Sequence, residues 1–126
     1  MTHGLIKVDY LDGPPDGPLV RFAAGHEGVA VLRDAFDQLA GGDAVVAVEG
    51  LVLAGLSSIE FRQGTRGGLH SLAPGRLVFD GDPAQWETRA RLLDPLTQSA
   101  GGFQYLGYEG GGELSAVVTT YPDGSF

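Results

Sequence analysis

Asp82-Pro83-Ala84-Gln85 opens the segment that most restricts how this chain can fold. An Asp before a helix can accept hydrogen bonds from first-turn amides that have no helical partner. Pro fits the first helical position, where its missing N–H costs nothing. Gln85, three residues after the Asp, completes a capping-box pattern. Trp86, Ala90, Leu93 and Leu96 or Thr97 then recur on one helical face, with Glu87 and Arg91 as an outward pair four residues apart. Gly101 and Gly102 supply the stop. The spacing predicts a capped helix whose apolar stripe must be covered by the rest of the chain.

A second helical period lies upstream, from His26 to Ala40. Val29, Leu32, Phe36 and Leu39 share one face, Arg33 and Asp37 sit four apart on the outer side, and Gly41 and Gly42 follow as the stop. The remaining segments alternate or run apolar at strand length. Ile6, Val8 and Tyr10 share a strand face, and "DGPPDGP" turns the chain into the strand "LVRFAA". "DAVVAVE" has little polar relief and reads as a central strand covered on both faces. Ile59 and Phe61 alternate with Glu60 and Arg62. "LHSLA" and "RLVFD" extend, and "FQYLGY" and "LSAVVTTY" form a closing hairpin with "EGGGE" at its tip. The strands between the helices have no helical crossover, so antiparallel pairing is expected. The expected fold is one α+β domain over residues 1–126, a mostly antiparallel sheet of about six to eight strands with two helices on one face. Trp86, Leu93, Val29, Leu32 and Phe36 should be buried beneath it. No internal repeat is visible.

Composition narrows the function classes. The 126 residues include no cysteine, which removes disulfides and thiolate chemistry. No stretch approaches the ~20 apolar residues of a membrane helix. "MTHGLIKVDY" lacks the form of a secretory signal, so a cytoplasmic location is expected. Sixteen acids against eight bases give a net charge of −8. Nucleic-acid binding draws on cationic side chains, so a basic protein is the better expected partner. Arg62, Arg66 and Arg76 form an acid-free island between residues 61 and 79. It reads first as a solvated hairpin and second as an anion or partner contact.

Catalytic patterns are sparse. No Ser lies in a nucleophile elbow. His3, His26 and His70 have no zinc-ligand spacing and read as surface or capping histidines. Asp80 and Asp82 flank Gly81 without the further acids of a calcium loop. "QGTRGG" offers backbone amides and an arginine to an anion but reads more simply as a turn. We therefore expect no cofactor, no metal and no catalytic activity. Trp86, Phe103, Tyr105 and Tyr108 form an aromatic cluster, mostly core by spacing. Tyr108 and Tyr121 are candidate partner-binding aromatics, with Glu109 and Glu113 as rim acids. An alternative is a small-molecule or enzymatic site assembled from distant residues around Arg62, His70 and a buried acid.

Phe79, Trp86, "FQYL" at Phe103–Leu106 and Tyr121–Pro122 together resemble a pattern in small bacterial proteins, several of which look like immunity proteins encoded beside secreted toxins. The resemblance covers the chain from Phe79 onward. It implies an immunity protein that masks a toxin, and the acidic charge makes a basic toxin the expected one. Phe103 stands where that pattern usually has histidine, so no role of that histidine carries over.

Overall fold

The computed structural model describes residues 6–11, 19–48, 50–65, 67–98, 101–106 and 114–121. Nine strands and two helices follow one another: β1 Ile6–Leu11, β2 Leu19–Ala24, α1 His26–Ala40, β3 Val45–Val46, β4 Leu51–Ala54, β5 Ser58–Gln63, β6 Gly68–Ala73, β7 Arg76–Gly81, α2 Pro83–Leu93, β8 Phe103–Leu106 and β9 Ser115–Thr119. The class is α+β, as the periodicities imply. The strands form two mixed sheets rather than one. The first has the order β4-β1-β2-β9-β8 and the second β3-β5-β7-β6. Parallel pairs join β1 to β4, β2 to β9 and β5 to β7, while the other four pairs are antiparallel. The expectation of a mostly antiparallel sheet fails most clearly between β5 and β7. A parallel pair needs a crossover but not a helical one, and here β6 itself carries the chain back.

The helices follow their sequence signals closely. α1 covers the predicted span and buries Val29, Leu32, Phe36 and Leu39. At α2 the Asp82 side chain accepts from the Gln85 amide at 2.8 Å, and the Gln85 side chain accepts from the Asp82 amide at 2.9 Å. The α-helix ends earlier than the glycines suggest. It stops at Leu93 and tightens into a 3-10 turn over Asp94–Thr97, because Pro95 has no N–H to continue the ladder. Arg33 does not need Asp37 as its partner: its Nε lies 2.7 Å from Asp94 Oδ1, tying α1 to that turn.

"DAVVAVE" is not a central strand. Among its described residues, only Val45 and Val46 pair, at the edge of the second sheet. An apolar run at strand length shows that a segment needs cover but not where it sits.

Both sheets and both helices line one core. Phe22 of the first sheet lies 6.2 Å from Phe61 of the second, centroid to centroid. Phe36 of α1 meets Phe61, Phe79 and Trp86 at 6.1, 6.2 and 4.9 Å. Trp86, Leu93, Val29, Leu32 and Phe36 are all buried, as predicted.

The registers reveal a repeat. A shift of 57 residues carries Leu19–Ala24 onto Arg76–Gly81, and Ser58–Arg62 onto Ser115–Thr119. It also carries buried Val29, Leu32 and Phe36 onto buried Trp86, Arg89 and Leu93. Phe22 pairs in parallel with Val118, and its counterpart Phe79 pairs in parallel with Phe61, the counterpart of Val118. The chain is therefore two ββαββ halves that exchange their last strands, with β4 an extra edge strand inserted in the first half. The hairpin β1–β2 is completed by β9–β8, and the hairpin β6–β7 by β5–β3. In those shifted segments only Phe22/Phe79, Asp37/Asp94, Leu39/Leu96 and Ser58/Ser115 are identical, which hides the repeat from the sequence.

Candidate functional site

β8 is an edge strand of the first sheet, and its alternation sorts its side chains. Leu106 enters the core, while Phe103 and Tyr105 face outward and are 45% and 40% exposed. Tyr121, just beyond β9, joins them at 38% exposure. The Phe103 ring meets Tyr105 edge-on at 6.1 Å and Tyr121 at 6.5 Å. Such geometry favours attraction between a ring edge and a ring face.

The three rings are held from beneath. Tyr105 lies opposite Val117 and Phe103 opposite Thr119, both fully buried. The Thr120 amide donates to the Gly102 carbonyl at 2.8 Å, and the Gly102 amide donates to Thr120 Oγ1 at 2.8 Å. Gly101 adopts φ +80°, and a Cβ there would lie 3.0 Å from the Tyr121 ring. A side chain at Gly101 would therefore strain the turn and press on the ring. The patch is an ordered aromatic surface on a well-bonded support.

Of the four partner-binding residues chosen from the sequence, Tyr121 belongs to this surface. Tyr108, Glu109 and Glu113 lie outside the described residues. Phe103 and Tyr105, which their spacing assigns mainly to the core, stand on the surface instead. Their alternation with Gln104 and buried Leu106 already placed them together on the opposite face, which was the available signal.

The alternative site has a different outcome. Arg62 and Asp80 are parallel cross-strand neighbours on the face turned away from the core, and His70 lies beside them on β6. The buried acid of that reading is thus Asp80. His70 is not a surface histidine: it is 2% exposed, with Nε2 3.6 Å from Asp80 Oδ2, and its Nδ1 has no hydrogen-bond partner among the described residues. Arg62 instead reaches the surface and pairs with Glu60 at 3.1 Å.

Asp80 already has a donor. The Gly67 amide donates to its Oδ1 at 2.7 Å, and a Cβ on Gly64 would come within 2.5 Å of its Oδ2. The glycine loop does hold an anion, but the anion is the chain's own carboxylate. Arg89 packs nearby, its guanidinium 4.5 Å from both the Phe79 and Trp86 ring centroids, and Nη1 donates to the Asp80 carbonyl at 2.8 Å. Burial pushes its pKa down to about 10, opposed by the Asp80 and Asp82 carboxylates. These contacts give Asp80 and Arg89 internal partners. Among the described residues no group of three or more His, Asp or Glu side chains is placed to hold a metal. No described helix is long and apolar enough to cross a membrane.

Comparison with protein-family models, with curated proteins and with solved structures finds no match to this chain.

Proposed function

We propose that this chain is a non-catalytic binding domain that engages a basic protein through Phe103, Tyr105 and Tyr121. The observation that carries the reading is the exposure of three aromatic rings at a sheet edge, with Phe103 packed against the other two. Aromatic side chains bring large contact area at low entropic cost, and they dominate affinity at interfaces. Ring faces also attract guanidinium and ammonium groups. The net charge of −8 supplies the longer-range attraction for a cationic partner. Neutralisation of a toxin is the specific form that the sequence resemblance implies.

The test uses the intact chain and a Phe103→Ser/Tyr105→Ser/Tyr121→Ser variant as paired baits in a host extract. A basic protein retained by the first and lost by the second supports the reading. Retention of the same protein by both baits, with equal dissociation rates, overturns the assignment to this surface. With the partner in hand, Tyr121→Ala should speed dissociation. Charge reversal at Glu109 and Glu113 should slow association and weaken its salt dependence.

A further inference from the structure

The two halves differ where β3 and β8 should correspond. A shift of 58 residues carries Val45 and Val46 onto Phe103 and Gln104, in matching registers against β5 and β9. β8 then continues through Tyr105 and Leu106, which pair with Val117 and Ala116. Their counterparts Ala47 and Val48 leave the sheet, and the chain moves off to β4. The first half thus lacks the last two residues of an edge strand that the second half possesses.

The departure opens a cleft of about 410 Å³ beside β5. Val45, Val48, Leu51, Leu72 and Val78 give it apolar walls, and Arg76 stands in its lining. Val45 and Leu72 are 57% and 54% exposed, high values for side chains of their kind.

The backbone of the cleft is also unfinished. The Ser58 amide donates to the Gly75 carbonyl and the Gly64 amide to the Gly81 carbonyl, so even-numbered β5 residues face β7. The Gln63 amide donates to the Ala44 carbonyl, so odd-numbered residues face β3. Phe61 meets Val46 there, but Val48 has moved out of register with Ile59. The N–H and C=O of Ile59 therefore point toward the cleft. Arg76 has no carboxylate within ion-pair distance among the described residues, unlike Arg21, Arg33, Arg62 and Arg91.

We propose that this cleft binds an extended peptide segment from another protein. The segment lies along β5, exchanges main-chain hydrogen bonds with Ile59 and sets apolar side chains against Val45, Val48 and Leu51, which flank that edge. It presents a carboxylate to Arg76. The second half shows what such an occupant resembles, since Tyr105 and Leu106 hold the equivalent place. Addition of a strand to a free sheet edge is a general mode of peptide recognition, with affinity from the main chain and selectivity from the pockets. The surface is separate from the aromatic patch on β8, so it stands independently of the reading above.

The probe is an acetylated peptide of alternating valine and threonine, prepared with a free C-terminal carboxylate and as its amide. Its binding to the isotope-labelled full chain is followed by amide resonances. The expected result is perturbation at Val45, Val48, Leu51 and Ile59, with slowed exchange of the Ile59 amide. The free-acid peptide should bind about threefold more tightly than the amide, and Arg76→Gln should remove that difference. Val45→Asp, at an exposed side chain of the cleft wall beside that edge, should abolish binding. Three results overturn the proposal: no perturbation at the peptide's solubility limit, perturbation without protection of Ile59, and self-association that Val45→Asp abolishes. The last would assign the edge to a second copy.

Discussion

The two halves of the molecule share a register and differ in what they place within it. At the start of α1, Gly25 caps without a side-chain hydrogen bond, whereas Asp82 caps α2 through a full capping box. At the next shared positions Val29 faces Trp86 and Leu32 faces Arg89. α1 is the longer, with a continuous apolar stripe, while α2 is short and carries a buried cation. The longer helix draws on tertiary burial and manages without a cap. The shorter one needs its end secured, because few turns share the cost of starting a helix. The side-chain bond that closes each half also changes while its task persists. Gln63 Nε2 donates to the Leu39 and Asp43 carbonyls after α1, and its counterpart Thr120 bonds Gly102 after α2.

Substitutions at matched positions put numbers on this contrast. Trp86→Ala should cost about 3–5 kcal/mol in denaturant unfolding, since the ring is fully buried against Phe36 and Phe79. Val29→Ala at the matched position should cost about 2 kcal/mol, from two lost methyl groups and a small cavity. Equal losses would mean that the two helices carry equal shares of the core, contrary to the aromatic contacts.

Arg89→Leu would give the second half the residue type that the first has at Leu32. It should destabilise by about 1–3 kcal/mol, because the Asp80 carbonyl loses a buried donor and two rings lose their cation. A gain in stability would show that burial of the charge outweighs its contacts.

Asp82→Ala should cost about 1 kcal/mol through the lost cap. Gly25→Asp makes the opposite exchange and has the smallest expected effect. A Cβ at Gly25 meets nothing within 4 Å, and its backbone is extended, so the cap can form without strain. The expected gain is about 0.5 kcal/mol, from a cap oxygen and a less flexible unfolded chain. Matched thermal and denaturant unfolding of the two variants would check it; a loss at Gly25→Asp would show that this helix start tolerates no added side chain.

The sequence by itself determined that both helices form, the capping box of α2 and the buried faces, because a 3.6-residue period and an N-cap are local properties. It also determined which strand side chains share a face. Phe103 and Tyr105 could therefore be placed opposite Leu106 before any strand had a partner. It did not determine the partners. Every strand here alternates in much the same way, and nothing in "SIEFRQ" says that it runs parallel to "RLVFDG" rather than against it. Pairing is set by which long-range closures bury the whole core together. Only the tertiary structure split the strands into two sheets, exchanged them between halves and buried His70 on the face away from the core. The same closures placed the Gly67 amide on Asp80. The cleft beside Ile59 was illegible for the same reason: it arises where a strand leaves a partner that the sequence could not name.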